Sequence, residues 1–326
     1  MIGLAPALFI HSGHSAESVF HSRSYHPLTQ IFGLPTFYTG SLLARGEFQT
    51  RFTLDLTSHA TFEQADFDEE LSFDGESHYA DISLDYGVTD RWQLGLRLPY
   101  VHHSGGFLDA TVENFHDLIG ASNRTREGKR NQLEFRYLRD NTTQLLFTDS
   151  DHSIGDVQLS TVFQVRGGSP KQRALALHLG IKLPTGDEDA LAGSGATDYS
   201  AGIGWTDPVT FARQKITLSA NAGMLLLGDG DVLSDIQEEW VPYAGFQITY
   251  SPWQRVDLLA QIQGTGSYYD SDLSALGDST VQISFGANIH FPKSGWQLML
   301  GIVEDGLSDM MPDFSLHMEL SKTFKQ

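Results

Sequence analysis

From Leu42 to Thr57 the chain alternates between two faces. The even positions are Leu42, Ala44, Gly46, Phe48, Thr50, Phe52, Leu54 and Leu56. After Leu43 the odd positions are all polar: Arg45, Glu47, Gln49, Arg51, Thr53, Asp55 and Thr57. A helix repeats about every 3.6 residues and cannot keep this pattern, so the segment is a strand. Its length exceeds that of common globular strands and suits one that crosses a bilayer at a tilt.

The same alternation returns over 77–87, 91–101, 155–165, 173–183, 196–205, 214–227, 239–251, 254–265, 278–291, 296–303 and 313–324. With 42–57 these make about 12 strands, an even number, as expected of an all-β, antiparallel transmembrane β-barrel. In the first hairpin, pairing about Thr89 sets Tyr86 against Trp92, Leu84 against Leu94 and Asp81 against Arg97. Short connections at Gly87–Asp90, Arg166–Gln172, Thr206–Arg213, Ser251–Trp253 and Pro292–Gly295 alternate with long ones at 58–76, 102–154, 184–195, 228–238, 266–277 and 304–312. Short turns are expected on the periplasmic side, which puts both termini there and the acidic loops outside.

The aromatic residues sort by depth. Tyr86, Trp92, Trp205, Tyr250, Trp253, Phe291, Trp296 and Phe324 fall at the short-turn end and form one interfacial girdle; Tyr100 and Trp240 belong to the opposite one. Met318, Leu320 and Phe324 resemble the closing signal read by the outer-membrane barrel-assembly machinery, although Lys322 interrupts the series. Mean hydropathy is −0.22, which does not count against a barrel, because half of each strand is polar. No run of about 18 apolar residues marks a transmembrane helix. The formal charge of −20 argues against nucleic acid. The lack of Cys excludes disulfides and zinc thiolates.

The ends and the long connection are less regular. Ile2–Ile10 is apolar and precedes His14-Ser15-Ala16, so residues 1–16 read as a degenerate or clipped signal peptide, or as a flexible tail. Segment 17–40, with Pro27 and Pro35, is irregular and large enough to enter the barrel as a plug, leaving 41–324 as the barrel. Within 102–154, residues 107–120 carry Leu108, Val112, Phe115 and Ile119 at helical spacing. Residues 132–138 and 143–148 form a hairpin signal; a hairpin that crossed the membrane would raise the strand count to 14.

Several segments carry a resemblance. His26-Pro27-Leu28 with Ile31–Pro35, Asp74-Gly75-Glu76, His103–Asp109 with Phe115-His116, and Asn123-Arg124 resemble the bacterial domain-of-unknown-function family numbered 3187, over roughly 25–324. The segment around Ser104–Asp109 is its most specific part, within a long-loop motif of His103, Gly105, Gly106, Phe107, Asp109 and His116. The resemblance implies an outer-membrane-type barrel and no assigned activity.

The lumen face of the first three strands collects Arg45, Glu47, Arg51, Asp55, Asp81, Asp85 and Arg97, either an ion-selective cluster or a structural network. His102, His103, Asp109, His116 and Asp117 are candidate metal ligands without a diagnostic spacing. Gly228–Asp231 with Asp235 and Glu238 offers oxygen ligands for surface Ca²⁺ or Mg²⁺ that would bridge to lipopolysaccharide. A barrel lipase would have to use His78 and Ser58, but nothing orients the His and no GxSxG occurs. The leading expectation is a passive channel for small polar solutes in the outer membrane, with no catalytic residues and no cofactor. The alternative is a plugged barrel with envelope-maintenance duties. A lumen filled by 17–40 or by 107–120 would favour the alternative.

Overall fold

In the computed structural model, residues 17–65, 69–110, 131–167, 171–305 and 314–325 are described. The strands are β1 (Glu47–Ala65), β2 (Glu69–Thr89), β3 (Trp92–Ser104), β4 (Glu134–Arg139), β5 (Thr142–Phe147), β6 (Asp151–Ile154), β7 (Gln158–Arg166), β8 (Ala174–Lys182), β9 (Asp198–Asp207), β10 (Ile216–Leu226), β11 (Trp240–Tyr250), β12 (Val256–Thr265), β13 (Thr280–Phe291), β14 (Trp296–Asp305) and β15 (Phe314–Lys325). Each barrel strand pairs antiparallel with its neighbours, and β15 returns to β1 with Phe48 opposite Phe324. The result is a closed ring of 12 strands. Closure leaves no free edge, as a lipid-embedded sheet requires.

The hairpin at 132–148 forms as β4 and β5, but it does not enter the ring. It pairs only with the upper part of β2, through contacts such as Phe73 opposite Phe135. β6 likewise lies on the upper end of β3. Signals at 1–16 and most of the 107–120 helix fall outside the described residues.

Two expectations need correction. The first long loop is mostly strand: β1 runs to Ala65 and β2 starts at Glu69. The first hairpin is also shifted by two residues. Tyr86 faces Leu94, Ser83 faces Arg97 and Asp81 faces Pro99, because a bulge at Gly87/Thr89 moves the turn toward Arg91. A bulge inserts one residue on one side of the ladder and resets every later pair.

The apolar face changes sides along β2. Ile82 and Tyr86 point outward and are exposed, whereas Leu71 and Phe73, nearer the loops, point inward and are buried. Phe135 and Tyr137 of β4 and Val241 of β11 are also buried inside at that level. Near the turns the wall is therefore apolar outside and polar inside, as lipid demands. Beyond the lipid it reverses, as water demands.

The girdle residues lie on the outer face, with Tyr250, Trp253, Phe291 and Phe324 all more than 40% exposed. Cations gather at the same rim. Arg91, Arg166, Lys171, Arg173, Arg213, Lys215, Arg255 and Lys293 are exposed at the five short turns, Arg45 precedes β1, and Lys325 ends β15.

Candidate functional site

Residues 17–46 pass through the lumen as an up-and-down excursion. The chain rises past Phe20, turns at a one-turn helix, Pro27–Gln30, near the loops, and descends through Phe37 to the start of β1. The two limbs meet where the Phe37 amide donates to the Ser22 carbonyl. Wall side chains satisfy the backbone of the rising limb. The Phe20 amide donates to Gln247 at 2.9 Å, and Gln261 donates to the Phe20 carbonyl at 2.9 Å. Buried backbone groups need such partners, so inward Gln residues serve a segment with no regular structure.

Small wall residues make room for it. A Cβ on inward-facing Gly301 would lie 2.2 Å from the Phe20 ring, and one on Gly204 would lie 2.3 Å from the Thr39 carbonyl oxygen. A buried guanidinium braces the turn: Arg23 donates to the carbonyls of Gln30, Phe32 and Leu34 at 2.6, 3.0 and 2.9 Å. His26 caps the one-turn helix by accepting from the Leu28 amide. Burial pushes its imidazole down to about 3, so it stays neutral and able to accept.

The strongest tie is ionic. Lys182, 1% exposed, lies 2.8 Å from Asp156 and 3.1 Å from Asp198, and it donates to the Ile31 carbonyl and to Ser194. Asp198 accepts in turn from the Gly33 amide and the Gly228 amide. One ammonium thus joins the lumen segment to two loops. Above it, Leu28, Ile31 and Phe32 pack with Leu71, Phe73, Tyr137, Leu225, Val241, Tyr268 and Tyr269 into a buried cluster that fills the loop end.

Below, a cavity of about 560 Å³ extends toward the short turns. Its lining includes Glu17, His21, Tyr38, Gln49, Arg51, Gln93, Arg97, Gln164, His178, Gln297, Glu319 and Thr323. The predicted lumen charges mostly meet here, and they are paired. Arg51 lies 2.7 Å from Asp85, Arg97 lies 3.7 Å from Asp81, and Asp55 accepts from His317 at 2.8 Å. Glu47 pairs with Lys325 at the mouth, at 3.1 Å. Arg97 also donates to Thr36 of the descending limb. Arg45 is a correction: it sits exposed at the rim, its amide bonded to Asp90, and does not join the cluster. Replacing Arg51 with Ala should lower the urea midpoint of unfolding, and adding Asp85→Ala should recover part of the loss. The coupling in that cycle should be about 1–3 kcal/mol; additive effects would show that the pair does not act as a unit.

The long-loop motif has a structural logic. Gly106 has φ +69°, and a Cβ there would meet the Glu76 carboxyl. That carboxylate accepts from the amides of Phe107 and Leu108. Asp109 accepts from the Asn131 amide at 2.7 Å and so ties the motif to a later point of the same long connection. His103 is buried inside, bonded to Ser77 and near Gln30. Its neighbour His102 faces outward beside His78 and His152, so these two candidate ligands do not share a site. His116 and Asp117 lie outside the described residues. Among the described residues no three His, Asp or Glu are grouped to hold a metal ion.

In the 228–238 loop, the Asp231 amide donates to the Ser194 carbonyl and the Glu238 amide to that of Tyr268. Two acids of the former "first loop" also turn to neighbouring backbone. Glu63 accepts from the amides of Ser274 and Ala275, and Glu69 from that of Asp272. Ser58 is fully buried, and His78 is bonded to Glu76.

The lumen segment was the hardest part to read from sequence. Its signal was the glycines on the polar parity of β9, β11, β13 and β14, which mark close backbone approach.

A model for a family described as "Protein of unknown function (DUF3187)" matches residues 10–324. No curated protein matches the chain. Among solved structures, the COG4313 outer membrane channel from Pseudomonas putida F1 is similar at TM-score 0.59 and 15% identity, over 87% of this chain and 97% of that one. The likeness establishes a shared barrel fold. The NanC porin aligns over 86% of this chain and 100% of that one, at 9% identity and TM-score 0.46.

Proposed function

The chain belongs to the DUF3187 family of proteins of unknown function, and we propose that it is an outer-membrane channel for small polar solutes, narrowed by its own residues 17–40. The observation that carries this reading is the lower lumen, a cavity of about 560 Å³ inside a closed wall, lined by charged and amide side chains as well as apolar ones. Most of its charges are matched in pairs, while Glu17 is held by hydroxyl groups, which favours uncharged hydrogen-bonding solutes over a filter for one sign of ion. Both termini would face the periplasm, with the long loops outside. The acidic loops would meet lipopolysaccharide, with Ca²⁺ or Mg²⁺ as bridging ions.

A second reading is a permanently plugged barrel that maintains the envelope. The filled loop end of the lumen favours it. Liposome swelling separates the two. Refolded full-length protein should admit a neutral pentose faster than empty liposomes do, with rates for uronate and amino-sugar analogues within about threefold of it. No swelling with any solute, from protein that still shows heat-modifiable gel migration, would overturn the channel reading and leave the plugged barrel.

A further inference from the structure

We propose that the short-turn rim binds the phosphate of an anionic phospholipid, at a site centred on Lys322. Lys322 continues the outward series of Met318 and Leu320, so its side chain stands on the lipid face of β15. It pairs directly with Trp296, and its ammonium lies 5.4 Å from the Trp296 ring centroid and 5.0 Å from that of Phe324. Among the described residues it has no carboxylate partner, unlike Lys325, which turns inward to Glu47. A cation on the lipid side of a barrel costs little only near the interface, where its ammonium can reach headgroup oxygens.

The surroundings fit a lipid anion. Lys293 is exposed in the adjoining turn, and at Gly295 the nearest atom to an added Cβ is Lys322 Cε at 3.8 Å, so the turn leaves open space beside the ammonium. Above, Leu298 faces Leu320 and Leu300 faces Met318, an apolar track along which acyl chains can lie. The field at this rim is positive although the chain carries −20. Every short turn holds a cation, while the rim carboxylates are engaged: Asp90 with the Arg45 amide, Asp207 with Arg173, and Asp257 with His290. A juxtamembrane cation of this kind is worth about 1 kcal/mol toward anionic lipid. The occupant is therefore a glycerophospholipid of net negative charge in the leaflet that meets the short turns. This assignment rests on the membrane-barrel reading.

Native mass spectrometry of the refolded full chain in neutral detergent tests it, with phosphatidylglycerol and phosphatidylcholine as probes. Lys322→Gln should weaken retention of phosphatidylglycerol about fivefold, the equivalent of one such cation, and Lys322→Arg should keep it. Phosphatidylcholine should bind weakly to all three proteins, and inorganic phosphate should not displace phosphatidylglycerol. Unchanged retention by Lys322→Gln overturns the site. Displacement by inorganic phosphate would make it a free-anion site and overturn the lipid assignment. Lys322-dependent preference for lipid A would place this rim in the other leaflet and overturn the choice of lipid. Loss of heat-modifiable migration in the unmodified chain would instead overturn the barrel reading.

Discussion

Deleting residues 17–40 should turn a nearly silent bilayer into a steadily conducting one. Twelve strands at the usual spacing of about 4.8 Å and a tilt of about 40° enclose a backbone radius of roughly 12 Å. Without the lumen segment, that width is obstructed only by side chains and loops. The wall should persist, because the ladder from β1 round to β15 contains no residue of the deleted segment. Stability should nonetheless drop. Phe20, Leu28, Ile31, Phe32 and Phe37 are each at most 1% exposed, and burying such a side chain is worth about 1.5–3 kcal/mol. Planar-bilayer recordings should show single-channel steps at least several-fold larger than any from the full chain. Heat-modifiable migration checks the barrel independently. A folded deletion variant that stays silent would mean that the loops close the mouth unaided, and the segment would lose its role as the gate.

Lys182→Met should reproduce part of that effect with one side chain. The substitution keeps the length of the stem and removes the charge, leaving Asp156 and Asp198 buried and facing each other without a counter-cation. Breaking a buried pair in this way costs about 3–5 kcal/mol. The same change removes the donor to the Ile31 carbonyl, so the loss falls on the junction between the lumen segment and the loops. The temperature of the gel-mobility transition should fall and solute flux should rise. Adding Asp156→Asn and Asp198→Asn should recover much of the stability, because neutral amides tolerate burial better than lone carboxylates. A lowered transition temperature with unchanged flux would confine Lys182 to holding the loops.

The membrane part of this fold was legible because lipid imposes a simple rule. Each of the twelve alternating segments met a barrel strand, since an outward polar residue at that depth is costly. The rule stops where lipid stops. Residues 58–76 looked like a loop because their apolar members, Leu71 and Phe73, had moved to the other parity and the acids Glu63 and Glu69 sat among them. The turn at Arg91 was misplaced because a bulge leaves no mark in periodicity. At the site, the charges of β1–β3 could be named but not matched, because pairing such as Arg51 with Asp85 depends on register and rotamer. The path of 17–40 had no periodicity at all. Its partners, Gln247, Gln261, Gly286 and Gly301, lie more than 200 residues away along the chain.

The reversal of the apolar face along β2 has a consequence for how that strand is held in height. A uniform period-two strand that slides by two residues keeps every side chain on its proper face, so alternation alone leaves its level in the bilayer poorly set. Here a slide of two toward the turns would drag Asp74 toward hydrocarbon and lower Leu71 and Phe73 toward the charged side chains that line the cavity. A slide of two the other way would lift Ile82 toward water. Both directions are penalised, and a slip of one residue is penalised on both faces at once. The strand therefore carries a vertical address as well as an orientation, and its neighbours inherit that address through the ladder.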